Sequence, residues 1–201
     1  MKKIEEIIES YKNNEQKKVD ECIAYCKSLE SLEEVIKCAA AAENKFGKMH
    51  SHQHRIAKLA LISFKENLPQ KKREIEAAKT FEDLLKIVED CGSKIKRIGE
   101  LSCYDAALRI GARLNIEPTK VYLHAGTREG IKNLLHLIKR ESSTDKTILT
   151  SLFYDGGEKF LSLTMKEKFI NKDILPIPFH DKDLKDSDIE VLFCNYKKHL
   201  L

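Results

Sequence analysis

The sequence predicts a mainly α-helical bundle, and three observations support this fold class. Apolar residues recur at helical spacing through most of the chain, capping signals precede several of these stretches, and glycine or proline follows them. With 201 residues, of which 42% are hydrophobic and 34% charged, the chain can bury a sizeable core. We therefore expect one compact domain over residues 1–201. Its expected sub-parts are an N-terminal helical bundle (1–68), basic central helices (69–142) and a C-terminal part (143–201).

The N-terminal third is predicted to contain three consecutive amphipathic helices. The third of these opens with Ser31 and Glu34, whose spacing suits a capping box, and it is expected to end near Gly47. The first two follow from the apolar spacing of Ile4, Ile7, Ile8 and Tyr11, and then of Val19, Cys22, Ile23 and Cys26.

Two more helices are predicted before residue 93. An apolar stripe from Ile56 to Phe64 must end around Pro69, because proline lacks an amide donor and disfavours helical angles in the residue before it. Thr80 is then expected to cap a helix that ends at Gly92.

Three segments complete the predicted architecture. Helices are expected to start at Ser102 and at Thr127, and a terminal helix is expected from Asp186. Between them, two β-prone runs flank Asp155-Gly156-Gly157, over residues 147–164. These runs fit either a small β-hairpin or two helix ends joined by a loop.

Composition also limits the classes of function. No apolar run approaches the length of a membrane-spanning helix, and the segment Met1–Glu6 lacks the apolar stretch of a signal peptide. We expect a cytoplasmic protein with no membrane partner. The six cysteines lack the density of a disulfide scaffold, so we expect reduced thiols, and the sequence predicts no cofactor.

The distribution of charge indicates a polyanionic partner. Residues 47–146 contain 20 Lys/Arg against 13 Asp/Glu, whereas residues 1–46 contain 8 against 10 and residues 147–201 contain 8 against 9. A basic region between two slightly acidic ones is typical of nucleic-acid contact, although solvated lysines would give the same pattern.

The most informative segment is a tight turn between two predicted helices, Lys94–Leu101. Ile95–Gly99, followed by a helix from Ser102, resembles the helix-hairpin-helix DNA-binding element of base-excision glycosylases. The resemblance implies that backbone amides around Gly99 bind a phosphate, and that the partner is DNA rather than RNA. Arg97 stands where that element has its first glycine, and Cys103 stands where it has a small residue. No aspartate follows at the position expected of a glycosylase, which favours binding over catalysis.

Cations of the following helices are expected to extend this contact. Asp105, Arg109 and Arg113 follow one another at i, i+4 spacing, which fits either a surface ion-pair ladder or a binding face. A second anion site is conceivable after Gly126, unless Gly126 and Thr127 are only the end of one helix and the start of another. The predicted phosphate-binding residues are Lys94, Lys96, Arg97, Gly99, Arg109, Arg113, Thr127, Arg128 and Lys132.

Two other functions fit the sequence. In the first, an enzyme acts on a phosphorylated or nucleotide substrate, with His124 as the acid-base group in a pocket shared with Tyr104, Asp105 and Arg109. In the second, the protein is a helical scaffold that binds a protein partner or forms a homo-oligomer.

Metal binding and nucleophilic hydrolysis have weaker support. The weak metal candidates are His50, His52 and His54, which lack further ligands nearby, so we expect no metal. The sequence has no Gly-x-Ser-x-Gly elbow, and no cysteine stands in a recognisable catalytic setting.

Overall fold

The computed structural model describes residues 2–49, 56–141 and 158–200. Within these ranges the fold is mainly α-helical with one small antiparallel sheet, which confirms the predicted fold class. The α-helices are α1 (Lys2–Tyr11), α2 (Lys17–Ser28), α3 (Leu32–Ala41), α4 (Lys58–Asn67), α5 (Lys72–Ala77), α6 (Phe81–Gly92), α7 (Glu100–Leu114), α8 (Ala125–Glu141), α9 (Glu158–Lys166) and α10 (Asp186–Tyr196). The strands are β1 (Val121–Tyr122) and β2 (Phe169–Ile170). Within the described ranges, none of the helices has the length and apolar character needed to cross a membrane.

The chain divides into two units. The central unit comprises residues 18–118, and the terminal unit comprises residues 1–17 together with 119–201. This division differs from the three sub-parts expected from the sequence, because α1 packs with the C-terminal elements. The Tyr11 hydroxyl donates a 2.6 Å hydrogen bond to the buried carboxylate of Asp188, 177 residues later in the chain.

In the terminal unit, α1, α8 and α10 enclose one apolar core together with the two-stranded sheet. Val121 pairs with Ile170 and Tyr122 with Phe169 across the sheet. Helices α8 and α10 lie close together at Gly130, where an added Cβ would lie 2.3 Å from the carbonyl oxygen of Phe193. The core residues include Ile4, Ile8, Tyr11, Val121, Ile131, Leu134, Phe160, Phe179, Ile189, Leu192 and Phe193.

In the central unit, α3 and α6 pack against α7. Both predicted caps are present, and each forms a capping box: the Ser31 hydroxyl accepts from the Glu34 amide, and the Thr80 hydroxyl accepts from the Asp83 amide. Helix α6 ends at Gly92, as expected. The predicted end of α3 near Gly47 is wrong, because Ala42 takes a left-handed conformation (φ +58°) and stops the helix there.

The terminal helix from Asp186 is confirmed, and for the second β-prone run the structure shows a helix, the alternative to the hairpin. Residues 158–166 form α9, because Phe160 and Thr164, four residues apart, are both buried on one helical face. The first β-run and the predicted turn, residues 147–157, lie outside the described residues.

We expect Gly92→Ala to destabilise the central unit by about 1 to 3 kcal/mol through overpacking. The added Cβ would lie 2.5 Å from Sγ of Cys103 and 2.9 Å from Cγ2 of Ile98. Chemical denaturation would measure the loss. In a Cys103→Ala background the same substitution should cost less, because the sulfur is gone. An equal cost in both backgrounds would contradict this explanation of the α6–α7 contact.

Candidate functional site

The turn between α6 and α7 presents cations beside free amide groups. Lys94, Lys96, Arg97 and Gly99 are exposed. Helix α7 begins at Glu100, so the predicted start at Ser102 is wrong. Gly99 is its N-cap residue, and the Gly99 carbonyl accepts the Cys103 amide at 3.1 Å. The three amides between these two residues have no acceptor inside the helix, as at any α-helix N-terminus. The turn therefore offers donors as well as positive charge.

Arg97 has an unusual backbone conformation, with φ at +78°. For a residue with a Cβ, the left-handed region costs about 1 to 2 kcal/mol, whereas glycine adopts it readily. The helix-hairpin-helix resemblance expects glycine at this position, and the backbone here has a conformation that favours glycine. The next residue, Ile98, is buried and holds the turn against the core of the central unit. The Arg97 side chain stays in solvent.

The structure corrects the predicted role of Arg109. Its side chain is only 5% exposed, so it does not extend a surface contact with phosphates, and the predicted exposed ladder is wrong. Burial lowers the pKa of Arg109, but the Asp105 carboxylate, Cys22 and Cys26 together more than offset this and raise it. Arg109 is thus a buried charge of the central unit, with the half-buried Asp105 as the strongest of the groups that favour its charged form.

The residues of the predicted substrate pocket lie in different units. Tyr104 is fully buried in the central unit, where its ring packs edge-on against Phe81 at 5.6 Å. His124 belongs to the terminal unit.

Arg113, a predicted phosphate contact, is exposed but lies in the last turn of α7, about 20 Å along the helix from Gly99.

Around residue 124 the predicted N-cap is wrong. Helix α8 begins two residues before Thr127, which is fully buried inside its first turn. His124 does the capping: its Nδ1 accepts the Gly126 amide at 3.1 Å, and its carbonyl accepts the Arg128 amide at 3.0 Å. The Arg128 guanidinium donates to the Glu167 carbonyl at 2.8 Å, and Lys132 is exposed.

The buried His124 ring faces two side chains of α10. Its Nε2 lies 2.5 Å from Oε1 of Glu190, which is also buried. The ligating atoms of His124, Glu190 and Cys194 all lie within 4.8 Å of one another, and Cys194 is half-buried. Burial lowers the pKa of His124, but hydrogen bonding to Cys194 and Glu190 raises it to about 9.

These three side chains include the atom types that bind zinc. The geometry of their hydrogen bonds, however, fits a proton shared between Nε2 and Oε1 better than a zinc ion bound by both atoms. Two atoms that share a tetrahedral zinc ion at about 2.0 Å each are separated by about 3.3 Å, well above the Nε2–Oε1 distance here. A histidine bound to metal through Nε2 must also carry its proton on Nδ1, where the Gly126 amide points.

Sequence reasoning identified His124 but missed Glu190 and Cys194. The available signal was their i, i+4 spacing on the terminal helix, which places both on one face. Nothing in the sequence indicated that this face meets residue 124. The weak metal candidates His50, His52 and His54 lie outside the described residues.

Comparison of the chain with protein-family models, with curated proteins and with solved structures gave no match in any of the three.

Proposed function

We propose that the protein binds the phosphate backbone of nucleic acid, DNA in preference to RNA, through the turn between α6 and α7. The observation that carries the proposal is Arg97, an exposed cation held in a left-handed backbone conformation next to the N-terminus of α7. Strained conformations of this kind cluster at functional sites, where the surrounding structure maintains them.

The chemistry of the turn supports this function. The N-terminus of α7 carries partial positive charge and unpaired amides, which together favour an anion. The exposed Gly99 has no atom within 4 Å of the position a Cβ would occupy, so a phosphate can approach its backbone. Lys94 and Lys96 add charge on the same turn. Contacts of this type position a protein on nucleic acid without reading its sequence.

The test is titration of a fluorescent DNA duplex with wild type and with the double variant Lys96→Ala/Arg97→Gly. Glycine at position 97 removes the charge but suits the left-handed turn. We expect about a tenfold loss of affinity in about 50 mM salt. The slope of log affinity against log salt concentration should fall by the amount that about two phosphate contacts contribute. An RNA duplex of the same sequence should bind more weakly to wild type.

A matched control removes the same charge elsewhere on the central unit. Lys79 and Lys86 are exposed. Lys79 lies just before the N-terminus of α6, whereas the turn follows the C-terminus of that helix. Lys79→Ala/Lys86→Ala should reduce affinity only slightly. If both double variants lose affinity equally, binding depends on net charge alone and the turn is not the site.

A further inference from the structure

The cluster of His124, Glu190 and Cys194 in the terminal unit carries a second inference, which is independent of nucleic-acid binding. The cluster consists of the residue that caps α8 and two residues one turn apart on α10. His124 and Glu190 are buried, whereas Cys194 is half-buried. A histidine oriented by a carboxylate next to a thiol is the arrangement that activates a cysteine.

The hydrogen bonds of the ring decide which nitrogen can act as a base. With Nδ1 accepting from the Gly126 amide, the proton of the neutral ring lies on Nε2 and is donated to Glu190. Nδ1 is therefore the nitrogen that takes up the thiol proton, which leaves a thiolate beside a cationic ring paired with Glu190. Protonation of Nδ1 would break its bond to the Gly126 amide, and that amide would then be free to donate to another acceptor.

Gly126 also brings the thiol to the start of α8. An added Cβ there would lie 2.9 Å from Sγ of Cys194 and 2.8 Å from Cε1 of His124, so both side chains rest against this glycine. The sulfur thus lies beside the second residue of a 17-residue helix, where the partial positive charge of the N-terminus stabilises an anion.

We propose that Cys194 is a nucleophilic cysteine that accepts acyl groups from ester or thioester substrates, with His124 as its base and Glu190 as the residue that positions the imidazole. The Sγ proton moves to Nδ1 of His124, and the thiolate attacks the acyl carbon to form a C–S bond. The Gly126 amide, released from Nδ1, donates to the oxyanion. The bond to the leaving oxygen or sulfur then breaks, and the leaving group takes the proton from Nδ1.

The first experiment measures alkylation of the full-length protein by iodoacetamide, with each cysteine followed by mass spectrometry. At about pH 6.5 a free thiol reacts slowly, because little of it is ionised. We expect Cys194 to react about tenfold faster than N-acetylcysteine at this pH, and Glu190→Gln to abolish most of the difference. Circular dichroism would establish that the variant remains folded. If Glu190→Gln does not fold, the alkylation rate of Cys194 in the wild-type protein still tests the proposal.

The second experiment tests acyl transfer with p-nitrophenyl acetate. We expect a burst of nitrophenolate close to one equivalent and an acetyl group on Cys194, both lost in Cys194→Ser. Three outcomes would overturn the proposal. The first is alkylation of Cys194 no faster than that of N-acetylcysteine, and the second is an acetyl group on other residues only. The third is alkylation that is slow in the protein as purified and becomes fast after a chelator is added, which would identify a metal centre instead.

Discussion

Replacing Glu190 with leucine is expected to lower the free energy of unfolding of the terminal unit by about 3 to 5 kcal/mol. Glu190 and His124 are both buried, with side chains only 3% and 6% exposed, and they share a 2.5 Å contact. Removing one member of a buried charged pair leaves the other without compensation, and losses of this size follow. Urea denaturation measured by circular dichroism would give the value.

The same pair predicts a dependence of stability on pH. Because the pKa of His124 is raised from 6.5 to about 9 in the folded protein, its stabilisation is complete below about pH 6.5 and is lost as pH rises through about 9. Other groups titrate in this range, so the informative quantity is the difference between wild type and Glu190→Leu. That difference should shrink between pH 6.5 and 9. A constant difference would contradict the charged pair.

Gly130→Ala is expected to destabilise the terminal unit by about 2 to 3 kcal/mol. The added Cβ would lie 2.3 Å from the carbonyl oxygen of Phe193 and 2.9 Å from its carbonyl carbon. These are backbone atoms of α10, so no side-chain rotation relieves the contact and the two helices must move apart. The expected result is a lower denaturation midpoint, with faster hydrogen exchange in α8 and α10.

A control on the same helix separates this effect from general sensitivity of α8. Lys132 is exposed two residues later, and Lys132→Ala should change stability by less than about 0.5 kcal/mol. Gly130→Ala should also slow alkylation of Cys194, because α10 carries both Cys194 and Glu190 towards His124. If its denaturation midpoint equals that of wild type, the helices tolerate the methyl group and their close approach is not required.

Helices with strong local signals were predictable because their causes lie within a few residues. The capping boxes at Ser31 and Thr80 and the stop at Gly92 depend on spacing along the chain, and all are present. Where two local signals competed, the sequence left two alternatives open. The run 158–164 contains β-prone residues but also a helical stripe, and burial of Phe160 favours the helix.

The candidate sites also differ in whether neighbouring residues or tertiary packing determine them. The turn at Lys94–Gly99 is local, so its exposed cations and its position between two helices followed from sequence. Arg109 was predicted to be exposed, because the i, i+4 spacing of an acid and a base in the sequence is the same on an exposed helix face as on a buried one. Only packing distinguished them.

What the sequence by itself determined is the helical class, several helix boundaries and the basic turn before α7, since each arises from neighbouring residues. Tertiary structure alone decided the meeting of His124 with Glu190 and Cys194, which are 66 and 70 positions away along the chain. It also decided the burial of Arg109 and the grouping of α1 with α10. Contacts of this kind arise from helix packing, which at Gly130 and Gly126 depends on the absence of a single methyl group.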